Sequence, residues 1–264
     1  MYLCGMISKN KMKYIHHLAS KKFRMSNNIF VAEGFKIVGD LLSASFVPVY
    51  IAATSSWLKG HKEVTKQVVD IDEVTDNELS RISFLDTPQQ VLAVFKQPEY
   101  DVEVLSLLPN KLSLVLDDVQ NPGNMGTIIR LADWFGIENI ICSAGCADIY
   151  NPKTVQATMG ALARVRVSYV DLNVFFTNVR SAYGSSFPIY GTFLDGDNIY
   201  DTSLSSEGII VMGNEGRGVS TLVERYVNSR LYIPNYPLGR TTSESLNVAI
   251  ATAVVCAEFR RRLL

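Results

Sequence analysis

Ile209-Ile210-Val211-Met212-Gly213-Asn214-Glu215-Gly216-Arg217-Gly218 changes chemistry abruptly halfway along. Four consecutive apolar residues, three of them β-branched, read as a short strand buried on both faces. Three glycines in the next six positions permit positive φ angles and let a ligand approach the backbone closely. The glycine order is not G-x-G-x-x-G, and no Gly-Lys-Ser/Thr follows. Neither the dinucleotide fingerprint nor a Walker phosphate loop is met. A tight turn without a ligand would use the same residues, so this stretch needs support from elsewhere in the chain.

Two further strand-loop-helix segments supply it. Leu112–Leu116 reads as an apolar strand, broken only by Ser113 and closed by Asp117-Asp118. After the loop 119–124, helical spacing sets in over Met125–Phe135 and Gly136 stops it. Asn124 is expected at the helix N-cap, Gly123 and Gly126 keep the backbone open, and Arg130 falls two turns in. The third segment is a short strand, Leu231–Ile233, ended by Pro234. A polar stretch leads from there to Ser245-Leu246-Asn247-Val248 and a long helix over Ser243–Arg262. Alone, the first segment also fits an ordinary loop with an exposed arginine, and the third fits a plain helix cap at Ser243. Strands at Asn139–Cys142, Arg164–Val170 and Ile189–Leu194 alternate with helices at Pro152–Met159 and Leu172–Ala182. Buried strands alternating with helices imply an α/β fold with a mostly parallel sheet covered on both faces. Ligands collect beyond the carboxyl ends of such strands, so the three loops should open at one edge.

The first hundred residues form a second, smaller α/β pattern. It comprises a basic helix over 10–24, a strand at Phe30–Ala32, a helix at Phe35–Ser43 and strands at Val47–Ala53 and Val68–Ile71. A helix at Asp72–Ser83 and a strand at Val91–Phe95 complete it. The pattern loosens between Gln97 and Lys111, which places domains at 1–100 and 110–264. The chain is nearly neutral, with 25 basic against 26 acidic residues, yet the charge is uneven. Lys9, Lys11, Lys13, Lys21, Lys22 and Arg24 crowd the start and are candidate contacts to RNA phosphates. A solvated helix face would look the same. All three histidines lie at or before His61, which excludes a Ser-His-Asp hydrolase or a histidine-ligated metal in the second half. Cys4, Cys142, Cys146 and Cys256 lack a partner set for zinc and read as reduced cysteines, so no metal is expected. No apolar run reaches the roughly 18 residues of a membrane span, and a soluble, cytoplasmic protein is expected.

In order, Asn124-x-Gly126-x-x-x-Arg130, Gly213-Asn214-Glu215-Gly216-x-Gly218 and Ser245-Leu246-Asn247-Val248 resemble the SpoU (TrmH-type) family of SPOUT RNA 2′-O-ribose methyltransferases. Ala157-Thr158-Met159-Gly160-Ala161 resembles a small-residue segment of that family. Phe30-Val31-Ala32-Glu33-Gly34 resembles the F-x-x-E-G of the ribosomal-protein-like substrate-binding domain that often precedes it. The resemblance implies a deep trefoil knot in the C-terminal domain and a homodimer. It implies methyl transfer from S-adenosylmethionine, without a metal, to a ribose 2′-hydroxyl of tRNA or rRNA. It assigns cofactor binding to Met212, Gly213, Asn214, Glu215, Gly218, Ile233, Leu246 and Asn247. Catalytic roles fall on Arg130, Asn124, Ser245 and Asn247. Arginine normally stays protonated, so Arg130 is expected to stabilise the forming alkoxide and position phosphate, although the family is also discussed with this arginine as the base. Two other readings share the scaffold: a catalytically silent RNA-binding dimer and a methyltransferase acting on an RNA base. The stretch 235–242 is longer and more polar than the family's usual loop, which leaves the RNA target open.

Overall fold

The computed structural model describes residues 7–63, 68, 70–100, 103–237, 240, 241, 243 and 245–263. Cys4 and, within the long loop, Leu238, Gly239 and Thr242 lie outside them. Two compact units divide the chain: Met1–Tyr100 with Asp148–Ala163, and Asp101–Ala147 with Arg164–Leu264.

In the first unit the expected single basic helix is two, α1 (Lys9–His17) and α2 (Lys21–Asn27). The break has a physical cause. Ser20 takes up extended backbone, and the freed carbonyls of Leu18 and Ala19 accept from the Arg24 guanidinium at 2.6 and 2.9 Å. Next come β1 (Ile29–Glu33), α3 (Phe35–Ser43), β2 (Pro48–Ala53), α4 (Ser55–Gly60), β3 (Ile71–Glu73), α5 (Asp76–Ile82) and β4 (Val91–Lys96). The four strands run β1-β4-β2-β3, with β4 antiparallel to both its neighbours. Phe30, Ile51, Leu92 and Phe95 are fully buried on this sheet, each such side chain contributing about 1.5–3 kcal/mol. Glu33, at the end of β1, is buried and accepts from the Phe84 N–H at 2.8 Å and from the Ser83 hydroxyl. Burial raises its pKa, partly offset by those bonds.

The second unit is built on β5 (Leu112–Leu116), α6 (Pro122–Trp134) and β6 (Asn139–Cys142). Helix α7 (Pro152–Ala157) belongs to the first unit and packs on β1. The chain then continues as β7 (Arg166–Tyr169), α8 (Leu172–Tyr183), β8 (Ile189–Asn198), β9 (Gly208–Met212), α9 (Thr221–Glu224), β10 (Ser229–Tyr232) and α10 (Val248–Arg261). Six strands form one sheet in the order β10-β8-β9-β5-β6-β7, every neighbouring pair parallel. All residues of β5, β6 and β9 are buried, as expected for strands covered on both faces. Cys142, Cys146 and Cys256 are buried and unpaired. Among the described residues no helix is long and apolar enough to cross a membrane, and no group of three or more His, Cys, Asp or Glu is placed to hold a metal ion.

Two helix starts differ from the sequence reading. The N-cap of α6 is Asn121, whose side chain accepts from the Gly123 and Asn124 N–H groups. Pro122 takes the first helical position, where its missing N–H costs nothing, and Asn124 is freed to point elsewhere. Helix α10 starts at Val248, capped by Asn247 and not by Ser243.

Candidate active site

Because the sheet is parallel, β5, β9 and β10 end at the same edge, and the loops after them meet there. The turn after β9 is closed by paired backbone bonds between Asn214 and Gly218, both 2.9 Å. Gly218 sits at φ +70°. A Cβ on Gly213 would run into the carbonyl carbon of Gly218 and the nitrogen of Val219. Gly213 is therefore needed for the turn to close on itself, while the space beside Gly218 is open.

Asn214 fastens this turn to the loop after β5. Its Oδ1 accepts from the Gly216 and Arg217 N–H groups at 3.0 and 3.1 Å, so its amide nitrogen faces outward and donates to the Asp118 carbonyl at 2.8 Å. Arg217 donates to the Asp118 carboxylate, and the Asp117 carboxylate accepts from the Ser220 N–H at 2.8 Å. Asp118 adopts a left-handed backbone at φ +63°, held by a bond from its own N–H to the Ser143 hydroxyl at 2.9 Å. Asp117, Asp118, Asn121 and Arg217 were not singled out as site residues from the sequence. The signal available was a pair of aspartates at a strand end followed by Asn-Pro.

The third segment enters through Asn247. Its Oδ1 accepts from the Ala249 and Ile250 N–H groups at 3.0 and 3.3 Å, which forces its amide nitrogen away from the helix. That nitrogen donates to Asn124 Oδ1 at 3.1 Å. Asn124 in turn donates to Glu215 Oε1 at 2.9 Å. Asn247, Asn124 and Glu215 thus form a one-directional relay joining three segments that lie far apart in the chain. Its polarity is set at one end by a helix cap.

The remaining expected site residues lie on the same segments of the chain. Met212 is buried at the end of β9, Ile233 is half-buried beyond β10, and Ser245 and Leu246 are exposed on the approach to Asn247. Arg130 is exposed on α6 and lies outside the relay. It shares an outward stripe with Gly123, Thr127 and Trp134, spaced as one helical face.

In the first unit, Lys9, Lys13, Lys21 and Lys22 are exposed. Lys11 is half-buried, donates to Asp70 at 2.6 Å and lies 4.3 Å from the centre of the Tyr50 ring. Arg24 is not a surface cation. It is 1% exposed and paired with Asp148 at 2.5 Å, and its charge is spent inside the unit.

An all-parallel sheet with a tight glycine turn and a polar relay at its carboxyl edge has the form of a ligand-binding α/β protein. The SpoU rRNA Methylase family model matches residues 111–257, and the MRM3-like substrate binding domain matches residues 9–93. The chain belongs to the SpoU rRNA methylase family. It is 30% identical over 252 residues, 95% of this chain and 96% of the other, to the 23S rRNA (guanosine(2553)-2′-O)-methyltransferase RlmP of Bacillus subtilis. A TrmH-family protein from Porphyromonas gingivalis shares 38% identity at a TM-score of 0.84, covering 98% of this chain and all of the other. The AdoMet-bound rRNA methyltransferase of Sinorhizobium meliloti shares 28% identity at a TM-score of 0.85, covering 100% of this chain and 98% of the other.

Proposed function

We propose that this chain transfers a methyl group from S-adenosylmethionine to a ribose 2′-hydroxyl of ribosomal RNA. The relay Asn247–Asn124–Glu215 carries the reading, because it welds the three loops into one site. The residues at the edge fit the cofactor. The tight turn of Gly213 and Gly218 offers backbone to a flat ligand, with open space where a Cβ on Gly218 would stand; Ile233 and Leu246 supply apolar contact, and Met212 its backbone at the end of β9. When bound, S-adenosylmethionine supplies an electrophilic methyl on a sulfonium.

The protein's own task is to orient the acceptor hydroxyl and ease the loss of its proton. Asn124 and Asn247 fix the site's polar edge, with Glu215 as the terminal acceptor, and Ser245 lines the approach. Arg130 stabilises the forming alkoxide and holds phosphate. The chain acts as a homodimer. Trp134 is 83% exposed on α6 and Ile250 is 55% exposed on α10, which packs against α6, and large apolar groups on adjoining helices mark an interface. Arg130 lies on that same stripe, so it serves the site of the second copy. A trefoil knot in the C-terminal unit belongs to the same reading, as does work in the compartment where ribosomes are assembled. The ribosomal target follows the rRNA relatives, and Lys9, Lys13, Lys21 and Lys22 offer it cations.

The test uses the purified full chain, methyl-labelled S-adenosylmethionine and unmodified 23S rRNA transcribed in vitro. Label entering RNA in the wild type and falling at least about a hundredfold in Arg130→Lys supports the reading. No label in RNA, or an unimpaired Arg130→Lys, overturns it.

A further inference from the structure

Arg180 and Arg225 make a second cationic feature that the relay does not use. Both are exposed, and both lie against one ring: their guanidinium carbons are 5.2 and 5.0 Å from the centre of Tyr226. Tyr226 is itself nearly buried and stacks on Phe176 at 5.3 Å. Its hydroxyl is fixed by Asn173 Oδ1 at 2.7 Å and Thr177 at 3.0 Å. The ring is therefore a rigid platform that brings two guanidinium groups within about 10 Å of one another.

What orders these arginines is neutral. Arg180 donates to the carbonyls of Arg225 and Tyr226 at 3.1 and 3.2 Å, and Arg225 donates to the Asn173 side-chain oxygen. Six other arginines, Arg24, Arg164, Arg217, Arg230, Arg261 and Arg262, each hold a carboxylate, whereas Arg260 is likewise held by carbonyls, those of Phe135 and Gly136. Neither Arg180 nor Arg225 holds a carboxylate among the described residues. The nearby carboxylates are already occupied. Asp171 caps α8 by accepting from the Asn173 and Val174 N–H groups, and Glu224 is held by Arg230. Two like charges on one ring, with no counter-ion, repel each other unless an external anion joins them.

Along the chain, the patch follows closely on the glycine turn. Arg225 directly follows α9, whose N-cap Ser220 is bonded through its N–H to Asp117 at the end of β5. We infer that Arg180 and Arg225, presented by Tyr226, grip adjacent phosphates of the RNA strand as it leaves the methylation site. The inference rests on the RNA reading above and adds a contact surface to it. Guanidinium is suited to this because its planar fork meets phosphate oxygens two at a time.

The experiment measures binding of in-vitro transcribed 23S rRNA across a salt series for the wild type, Arg180→Gln/Arg225→Gln and Arg180→Lys/Arg225→Lys. S-adenosylmethionine affinity and thermal unfolding are followed in parallel. The inference expects the glutamine pair to bind RNA at least about tenfold more weakly. Its slope of log affinity against log salt should flatten by about 1.4–1.8, the loss of two phosphate contacts. The lysine pair keeps most of the slope, and cofactor affinity does not move in either. A glutamine pair with wild-type RNA affinity and slope overturns the inference while leaving the RNA reading intact. If the glutamine pair is loosened in thermal unfolding, the single variant Arg225→Gln decides, with half the flattening expected and none contradicting. A wild type that binds no RNA overturns both. Salt-independent weakening in both pairs also contradicts it, since that marks lost support for Tyr226 and not lost charge.

Discussion

Asn247 decides which way the relay runs. Its oxygen is committed to the first N–H groups of α10, so its nitrogen must donate, and the Asn124 amide is oriented by that choice. Asn247→Asp separates the two roles. Aspartate caps a helix as well as asparagine, so thermal unfolding should stay within about 1 kcal/mol of wild type. Methyl transfer should fall at least about tenfold, because a carboxylate in that place has no N–H to donate to Asn124 Oδ1. Wild-type turnover in that variant would remove the relay from the mechanism. At Gly213 the argument is steric: Gly213→Ala forces a methyl into the backbone of Gly218 and Val219. It should cost about 1–3 kcal/mol of stability, as overpacking does, and abolish calorimetric binding of S-adenosylmethionine. Glu258 is the clearest titrating group. Hydrogen bonds from Arg261 and Arg262 hold its pKa down to about 2. A depressed folded value means its contribution to stability is present above its ordinary value of 4.5 and is lost as pH falls through about 2. Glu258→Gln should therefore flatten the unfolding curve between those limits, and an unchanged acid limb would contradict the assignment. At this scale the sequence displayed Asn124, Glu215 and Asn247 but not their connections. The misplaced cap shows why: two asparagines three apart can each cap, and Pro122 decides for Asn121.

Elements with one unambiguous driving force were legible. Leu112–Leu116 and Asn139–Cys142 are short, largely apolar runs, interrupted only by Ser113 and Asn139 and bounded by polar residues, and both are strands with those bounds. Two short helices were not, α4 with six residues and α9 with four, too few to show a helical period; the equally short α7 was legible because Asn151-Pro152 marks its start. Strand β8 also runs past its expected end at Leu194, because its pairing with β10 jumps from Gly191 to Asp197, a shift that alternating polarity does not announce. The break between α1 and α2 is the other case, since it depends on a buried arginine whose partner lies 124 residues away. That pair is testable. Asp148→Ala leaves the Arg24 charge buried without a counter-ion and should cost about 3–5 kcal/mol. A change below about 1 kcal/mol in denaturant unfolding would show that the pair holds nothing together.

At the scale of the whole molecule, the order of six parallel strands sets where three loops meet, and the sequence conveyed this because each loop follows a strand. What it did not convey is that Asp148–Ala163 leaves the second unit to join the first; its helix and small residues look like one more crossover. The exposed Trp134 and Ile250 raise the question of assembly. If the proposed dimer holds, Trp134→Glu should leave a monomer in light scattering and remove methyl transfer with it, because on that proposal Arg130 serves the second copy. A fully active monomer would contradict that arrangement. The most direct measurement of the central claim is where the methyl group goes. Labelled 23S rRNA from the wild-type reaction is hydrolysed in alkali and separated by size. A methyl on a ribose oxygen blocks cleavage of its own linkage, so the label should appear in a dinucleotide. Label recovered only in mononucleotides would place the methyl on a base and contradict the account.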